Sequence, residues 1–163
     1  MSLRPVILYL YFLRFVSGYF LEFYIVSDNS CWIVGPTVTG SNAIIHTTLS
    51  SWKTVIPNAY WIWETNDNNS QQGNATVTKH FFIAGTPATG SFSISADGYF
   101  TTYLNDKEAN CKDTTGNTYS SDSGISCNVL SYLISGLNKL EIDAETKGNH
   151  ASVMFKLTVT SNF

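Results

Sequence analysis

Short runs of alternating apolar and polar residues recur along this chain, with clusters of Gly, Pro, Asn and Ser between them. Successive side chains of a strand point to opposite faces, so a period of two predicts a strand with one buried face. Many short strands separated by turn signals are typical of β-sandwiches and β-barrels. The pattern therefore predicts an all-β domain with strands at 43–49, 60–65, 76–84, 91–96, 99–105, 138–146 and 152–160.

The alternation also predicts which side chains form the core. In the last two runs one face is wholly apolar, with Leu140, Ile142 and Ala144 in the first and Val153, Phe155, Leu157 and Val159 in the second. Helical spacing occurs only at 127–138, where Gly136 interrupts it, so we expect no more than a short helical turn there. A chain of 163 residues is long enough to build such a core without a cofactor.

The pair Asp97-Gly98 stands between the runs 91–96 and 99–105 and predicts a β-hairpin. A two-residue turn and a three-residue loop that ends on Gly98 with a positive φ are both available. The three-residue loop sets Ile94 opposite Phe100 and buries both Phe100 and Leu104, so it is the register that we predict. The outward side chains are then Tyr99, Thr101 and Tyr103.

The first 18 residues have two main interpretations. Arg4, an apolar stretch at 6–13 and small residues at 16–18 resemble a secretory signal peptide, which would leave a single domain at 19–163. Residues 18–26 are rich in aromatic and β-branched side chains, which is also the composition of an N-terminal strand or arm. A membrane-spanning helix is the third alternative, but Arg14 and Glu22 interrupt the apolar stretch that it needs.

Cysteines and sequons point to an extracellular protein. Cys111 and Cys127 flank a polar, turn-rich segment that cannot hold itself together by burial, so we predict a disulfide between them. Cys31 is then left over, as a buried thiol or in an intermolecular bridge. N-glycosylation sequons begin at Asn68 and Asn74. Together with the signal-like N-terminus, these features predict an extracellular or cell-surface glycoprotein.

Three segments of the chain carry a resemblance to a known family: Trp61-Ile62-Trp63, then Ser95-Ala96-Asp97 leading to Tyr103-Leu104-Asn105, then Gly136-Leu137-Asn138 ahead of the last strands. Their order resembles the galactose-binding-like β-sandwich modules over residues 43–160. The resemblance implies a jelly-roll β-sandwich of two antiparallel sheets and a non-catalytic role in binding. The sequence departs from the family at Asp106, where these modules usually have Gly, and in a polar insertion at 109–128.

Motifs of catalysis are absent from the sequence. It has no nucleophile elbow, no zinc-protease motif and no dinucleotide fingerprint, and His46, His80 and His150 lie in separate segments. The two-glycine segment 85–91 lacks the Lys of a phosphate-binding loop and precedes a strand, so we interpret it as an interstrand loop. We therefore expect no catalytic residue and no enzyme.

Aromatic side chains are the candidate ligand contacts, because a ring face packs on the apolar face of a sugar. We select Trp52, Tyr99 and Tyr103, and expect Trp61 and Trp63 in the core, since they share one face of a strand. The one cofactor considered is a structural calcium ion, although no EF-hand spacing is present. Its oxygen ligands would come from Asp97, Asp106, Glu108 and Asp113.

The charge balance limits the choice of partners. Charged residues make up 13% of the chain and the net charge is -3, with no basic cluster to neutralise phosphates, so nucleic acid is not an expected partner. Our leading hypothesis is a secreted or surface-exposed module that binds glycans or an extracellular protein and catalyses nothing. The alternative is a structural subunit of an extracellular coat or filament, self-assembled through its hydrophobic N-terminal arm.

Overall fold

The computed structural model describes residues 18–66, 73–146, 148 and 150–163. Within these residues the chain forms two six-stranded antiparallel sheets that enclose one main core. This confirms the predicted all-β, jelly-roll sandwich. The strands are β1 (Phe20–Val26), β2 (Trp32–Val34), β3 (Ser41–Asn42), β4 (Ile44–Ile45), β5 (Ile62–Trp63), β6 (Gly73–Ile83), β7 (Thr86–Ala96), β8 (Tyr99–Leu104), β9 (Lys107–Asp113), β10 (Ile125–Asn128), β11 (Gly136–Thr146) and β12 (Val153–Asn162).

The strand order places every predicted run in one of the two sheets. Sheet A has the order β10-β7-β12-β5-β4, with β1 also paired to β12, and sheet B has the order β3-β2-β6-β11-β8-β9. The predicted inner faces of β11 and β12 are confirmed, because the apolar residues predicted for them, at alternate positions from Leu140 to Ala144 and from Val153 to Val159, are buried in the main core. Burial of each large apolar side chain contributes about 1.5 to 3 kcal/mol.

The predicted hairpin at Asp97-Gly98 is wrong. β7 pairs with β10 and β12 in sheet A, whereas β8 pairs with β11 and β9 in sheet B, so the chain crosses between the sheets at this turn. Ile94 lies opposite Phe155 and not opposite Phe100. The burial of Phe100 and Leu104 and the positive φ of Gly98 are confirmed. Alternation could not separate the two cases, since strands in facing sheets bury the same residues as strands of a hairpin.

The next connection along the chain is a β-hairpin, in which the two-residue turn Asn105-Asp106 joins β8 to β9. Both residues have a positive φ, 52° and 64°, as in the tight turns that match the twist of paired strands. Asp106 can replace the usual glycine because Asp tolerates the left-handed conformation. Its carboxylate also lies 2.5 Å from the Lys139 Nζ. The departure from the family pattern at Asp106 therefore leaves the turn in place.

Two further segments for which the sequence made a prediction can be compared with the structure. Residues 86–91 belong to β7 and are not an interstrand loop. The chain turns at Gly85, where φ is 76° and an added Cβ would collide with the carbonyl oxygen of Asn162. The short helical turn expected within 127–138 is confirmed as a 3-10 helix at Leu130–Tyr132. The strands β2, β3, β9 and β10 were not predicted.

A loop covers part of the outer face of sheet A, which the sequence did not predict. Ser95 and Met154 alternate with core residues and point outward, yet both are buried. Residues 46–61 and 118–122 lie over them. The Thr54 Oγ1 lies 2.9 Å from the Ser95 Oγ and donates to the Ser121 carbonyl oxygen over 2.7 Å. This cover forms a second apolar cluster, the Trp52 cluster, made of Trp52, Ile56, Trp61 and Met154.

The N-terminal strand β1 runs antiparallel to β12, from the pair Phe20 and Asn162 to the pair Val26 and Lys156. The aromatic segment is thus a strand of sheet A. Residues 1–17 lie outside the described residues, so the signal peptide stays a prediction. None of the helices among the described residues is long and apolar enough to cross a membrane.

The predicted disulfide between Cys111 and Cys127 is present. Cys111 lies in β9 at the edge of sheet B and Cys127 in β10 at the edge of sheet A, so the bond joins the two sheets. Cys31 is a buried thiol, and its burial raises the pKa of the thiol. The interpretation of Cys31 as a buried thiol is therefore confirmed.

Candidate functional site

An open cavity of about 580 Å³ lies on the outer face of sheet B. Residues of β6, β8, β9 and β11 line it, together with Thr114 just after β9. Its polar lining consists of Asn74, Thr76, Tyr99, Thr101, Asp113, Thr114, Asp143 and Glu145. The cavity therefore combines hydroxyls, an amide and carboxylates with the aromatic ring of Tyr99.

Strand register brings these side chains together. Glu145 of β11 lies between Asn74 of β6 and Tyr99 of β8. Two residues earlier, Asp143 lies beside Thr76 in the same way, and the Thr76 Oγ1 donates to the Asp143 Oδ1 over 2.8 Å. Directly opposite residues of an antiparallel pair have their Cβ atoms about 5 Å apart. The floor of the cavity is thus two adjacent rows of polar side chains.

Tyr99 forms a wall of the cavity, and the loop after β9 supports its ring. Gly116 in this loop has a φ of 74°, and a Cβ there would lie 3.2 Å from the Tyr99 Cε1. The Asp113 carboxylate holds the loop, since it accepts hydrogen bonds from the Thr115 amide (2.7 Å), the Thr115 hydroxyl (2.6 Å) and the Gly116 amide (3.1 Å). Tyr99, a predicted ligand contact, is therefore a partly buried side chain at the cavity wall.

Lys112 and Lys139, two lysines on the outer face of sheet B, are paired with carboxylates outside the cavity lining. The Lys112 Nζ lies 2.7 Å from Glu108, and the Lys139 Nζ lies 2.5 Å from Asp106 and 3.2 Å from Glu141. Hydrogen bonds to these carboxylates raise the pKa of both lysines. Both ammonium groups are therefore already paired with carboxylates.

The cavity itself carries negative charge. Asp143 and Glu145 line it, and no lysine or arginine is among its described lining residues. Carboxylates accept strong, charge-assisted hydrogen bonds from hydroxyl and amide donors. The site is consequently suited to a ligand rich in donors and without negative charge.

Tyr103, the other predicted tyrosine contact, lies outside the cavity on the same face. Register places it opposite Glu141 on one side and Glu108 on the other. The same row continues through Thr78 to Trp32, whose ring is half exposed. Neighbouring strands are about 4.8 Å apart, so the Cα atoms of Tyr103 and Trp32, three strands apart, are separated by about 14 Å. Trp32 was not selected from the sequence.

Trp52, the third predicted contact, is only 4% exposed. Its ring packs against those of His46 and Trp61, with centroids 5.1 and 4.6 Å away, and its Nε1 donates to the Asp97 Oδ2 over 2.7 Å. Burial raises the pKa of Asp97, although the hydrogen bond from Trp52 opposes the shift. No face of the Trp52 ring is open to a ligand, so this residue is not part of the candidate site.

The core placement of Trp61 and Trp63 is confirmed, since each is 1% exposed. They do not share one environment, however. Trp63 and its neighbour Ile62 lie in the main core, whereas Trp61 belongs to the Trp52 cluster. The strand β5 has only two residues, so the parity rule does not extend to Trp61.

The four predicted calcium ligands serve separate local roles. Asp97 accepts the hydrogen bond from Trp52, Asp106 and Glu108 pair with lysines, and Asp113 holds the loop beside Tyr99. Across the described part of the chain, no group of three or more His, Cys, Asp or Glu side chains is placed to hold a metal ion. These four residues therefore do not form one metal site.

The sequon asparagines differ in position. Asn74 is exposed in β6 and lines the cavity. Asn68 lies outside the described residues. A glycan attached to Asn74 would stand at the mouth of the candidate site, which links the two sequence predictions of glycosylation and ligand binding.

Sequence reasoning missed most of the polar lining, above all Asn74, Thr76, Asp143 and Glu145. A signal was present, since Asp143 and Glu145 are the outward residues of a clearly alternating run. What the sequence lacked was the strand order, which puts β6 on one side of β11 and β8 on the other.

No protein-family model matches this chain, and no curated protein matches its sequence. Several solved structures are similar in fold. A β-D-glucuronidase of Dictyoglomus thermophilum has 11% identity and a TM-score of 0.49, over 86% of this chain and 28% of that one, so this chain spans less than a third of the enzyme. A family 35 carbohydrate-binding module of Clostridium thermocellum has 13% identity and a TM-score of 0.46, over 83% of this chain and 97% of that one. The CBM35 of Paenibacillus barcinonensis has 16% identity and a TM-score of 0.45, over 84% and 97%. Identities and TM-scores this low transfer no ligand or activity to this chain.

Proposed function

We propose that this chain is a non-catalytic glycan-binding module, and that a neutral sugar occupies the cavity on the outer face of sheet B. The observation that carries the proposal is the meeting of the Tyr99 ring with hydroxyl, amide and carboxylate groups in one cavity of about 580 Å³. A sugar needs both kinds of contact, a ring for its apolar face and polar groups for its hydroxyls. The volume falls within the roughly 300 to 1,000 Å³ typical of small-ligand sites.

Charge supports a neutral sugar over an acidic one. Asp143 and Glu145 would accept hydrogen bonds from sugar hydroxyls, but they would repel the carboxylate of a uronic acid. Repulsion between like charges is a common source of discrimination between otherwise similar ligands. Among the described residues of this face, Lys112 and Lys139 already pair with other carboxylates and would have to break those pairs to offset this repulsion.

A location outside the cell fits this role. The disulfide between Cys111 and Cys127 belongs to the kind that persists in oxidising compartments. It supports a secreted or surface-exposed module that meets glycans there.

Calorimetry and a glycan array would test the proposal. The full chain should come from a host without N-glycosylation, because a glycan on Asn74 would stand at the cavity. We expect saturable binding of a neutral glycan and weaker binding of its uronic-acid counterpart. The substitution Tyr99→Ala should weaken binding about tenfold or more, since it removes the aromatic wall.

The matched control is Tyr60→Ala. Tyr60 is a half-exposed tyrosine outside the residues that line the cavity, so its loss should leave the affinity unchanged. The proposal fails if no neutral glycan on the array binds, or if the two variants weaken binding equally.

A further inference from the structure

The strand β1 lies at an open edge of sheet A. In the described part of the chain, β12 is the one strand that pairs with it. Strand edges of soluble proteins are usually blunted by lysine, proline or a bulge. The seven residues of β1, FLEFYIV, contain no lysine and no proline, and its pairing with β12 runs from Phe20 to Val26 without a register shift.

Hydrogen bonds at both ends of β1 fix which backbone groups face the open edge. The Phe163 amide donates to the Tyr19 carbonyl, and the Ser27 amide donates to the Phe155 carbonyl. Odd-numbered residues of β1 therefore bond to β12, and in an antiparallel ladder the alternate residues point the other way. The backbone N–H and C=O groups of Phe20, Glu22 and Tyr24 consequently face outward.

The outward-facing side chains on β1 are large and aromatic. Phe20 is 71% and Tyr24 is 50% exposed. Glu22 is the one charged residue of the strand, and its carboxylate accepts a hydrogen bond from the Tyr24 hydroxyl over 2.5 Å. An edge with free backbone groups, exposed aromatic side chains and a single charge is ready to accept another strand.

We propose that two copies of this chain associate by antiparallel pairing of β1 with β1, in the register that sets Glu22 of one copy opposite Tyr24 of the other. Only even-numbered residues can exchange hydrogen bonds across the edge, which restricts the registers. A register that sets Glu22 opposite Glu22 would place like charges face to face, which is destabilising. The Glu22 to Tyr24 register avoids this clash and lets each Tyr24 hydroxyl donate to the Glu22 carboxylate of the other copy in place of its own.

This register also covers apolar surface on the inner side. Phe23 would meet its own copy at the axis, and Leu21, which is 47% exposed, would meet Ile25. An interface of one strand per copy is small, so we expect a weak dimer. A two-fold pairing uses up the edge in both copies and closes at two. By itself it would yield a dimer and not the filament considered from the sequence.

Variants of the full chain with one added cysteine would test the register. Residues opposite each other in a hydrogen-bonded antiparallel pair have Cα atoms about 5.5 Å apart, which suits a disulfide. On mild oxidation, a mixture of Glu22→Cys and Tyr24→Cys chains should give a covalent dimer. Tyr24→Cys alone should not do so, and neither should the native chain with its buried Cys31. Cross-linking of Tyr24→Cys alone, or none in the mixture, would overturn the proposed register.

Sedimentation of uncross-linked chains would test the interface itself. Glu22→Pro removes an N–H that faces the open edge and leaves the ladder to β12 intact, so it should weaken dimerisation about tenfold or more while thermal stability is kept. Leu137→Lys is the control. It changes an exposed apolar residue of sheet B, away from β1, and should leave dimerisation unchanged. A native chain that sediments as a monomer at its highest soluble concentration would refute the proposal.

Discussion

The outer faces of the two sheets differ, because other residues of the chain cover part of one and the other holds an open cavity. On sheet A, residues 46–61 and 118–122 cover the outward side chains Ser95 and Met154 and form the Trp52 cluster. On sheet B, the outward side chains Asp143 and Tyr99 border an open cavity. Strands with the same alternation produced both faces. Alternation therefore tells which side of a strand meets the core, but not whether the other side meets water, a ligand or a second core.

Irregular segments decide the difference. The loop over sheet A brings its own apolar residues, Trp52 and Ile56, and its buried Thr54 hydroxyl hydrogen-bonds to the carbonyl oxygens of Thr118 and Ser121. Residues 114–116, at the start of the loop after β9, are instead held by Asp113 and only support Tyr99 from the side. One outer face is thereby covered by the chain itself, and the other keeps an open cavity.

We expect the largest effect when a tryptophan on the covered face and one on the open face are each replaced by alanine, because the two losses in the free energy of unfolding should differ. Trp61→Ala opens a cavity in the Trp52 cluster and should lower the free energy of unfolding by about 3 to 5 kcal/mol. Trp32→Ala removes a half-exposed ring and should cost about 1 kcal/mol or less. Urea unfolding followed by circular dichroism would measure both losses.

A more conservative substitution at Trp61 keeps this comparison measurable if Trp61→Ala does not fold. The Trp61 Nε1 is buried and has no hydrogen-bond partner among the described atoms, so Trp61→Phe removes an unsatisfied donor as well as some volume. It should cost clearly less than Trp61→Ala. If the Trp32 and Trp61 alanine variants lost equal stability, the contrast between the two faces would be wrong.

The disulfide, which ties the edges of the two sheets, should give the next largest effect. Replacement of Cys111 and Cys127 by serine reopens a loop with a sequence separation of 16 and should lower the free energy of unfolding by about 3 kcal/mol. Cys31→Ala is the control, because Cys31 is buried outside any disulfide, and it should cost about 1 kcal/mol. Equal losses in denaturant melts would show that the link between the sheets does not stabilise the sandwich.

The sequence predicted the strands and the core far better than the connections between strands. Leu140, Phe155 and their neighbours lie where alternation puts them, because a half-buried strand leaves a local pattern. The crossing at Gly98 left no such pattern, since a hairpin and a change of sheet bury the same residues. Trp52 was misplaced for a related reason, because burial under a distant loop depends on tertiary contacts. Tyr99 was found as an outward ring, but its polar neighbours depend on strand order.

The smallest effect should be a contrast in pH dependence between Asp97, beneath the Trp52 cluster, and Asp28, which pairs with Lys79 of sheet B. Burial raises the pKa of Asp97 despite the hydrogen bond from Trp52. Burial also acts to raise the pKa of Asp28, but hydrogen bonds from Lys79 and Ser30 outweigh it and lower this pKa. The two carboxyls should therefore affect stability in opposite directions as the pH changes.

The signs follow from linkage between protonation and folding. A raised pKa contributes stability that is fully present below the unfolded pKa and is lost as the pH rises through the folded pKa, so Asp97→Asn should become more stable relative to the native chain on going from about pH 3 to about pH 7. A lowered pKa contributes stability that is present above the unfolded pKa and is lost as the pH falls through the folded pKa. Asp28→Asn should therefore become less stable relative to the native chain over the same rise. Urea melts of the three chains across this range would measure the slopes, and slopes of the same sign would contradict the assignment of these two aspartates to different environments.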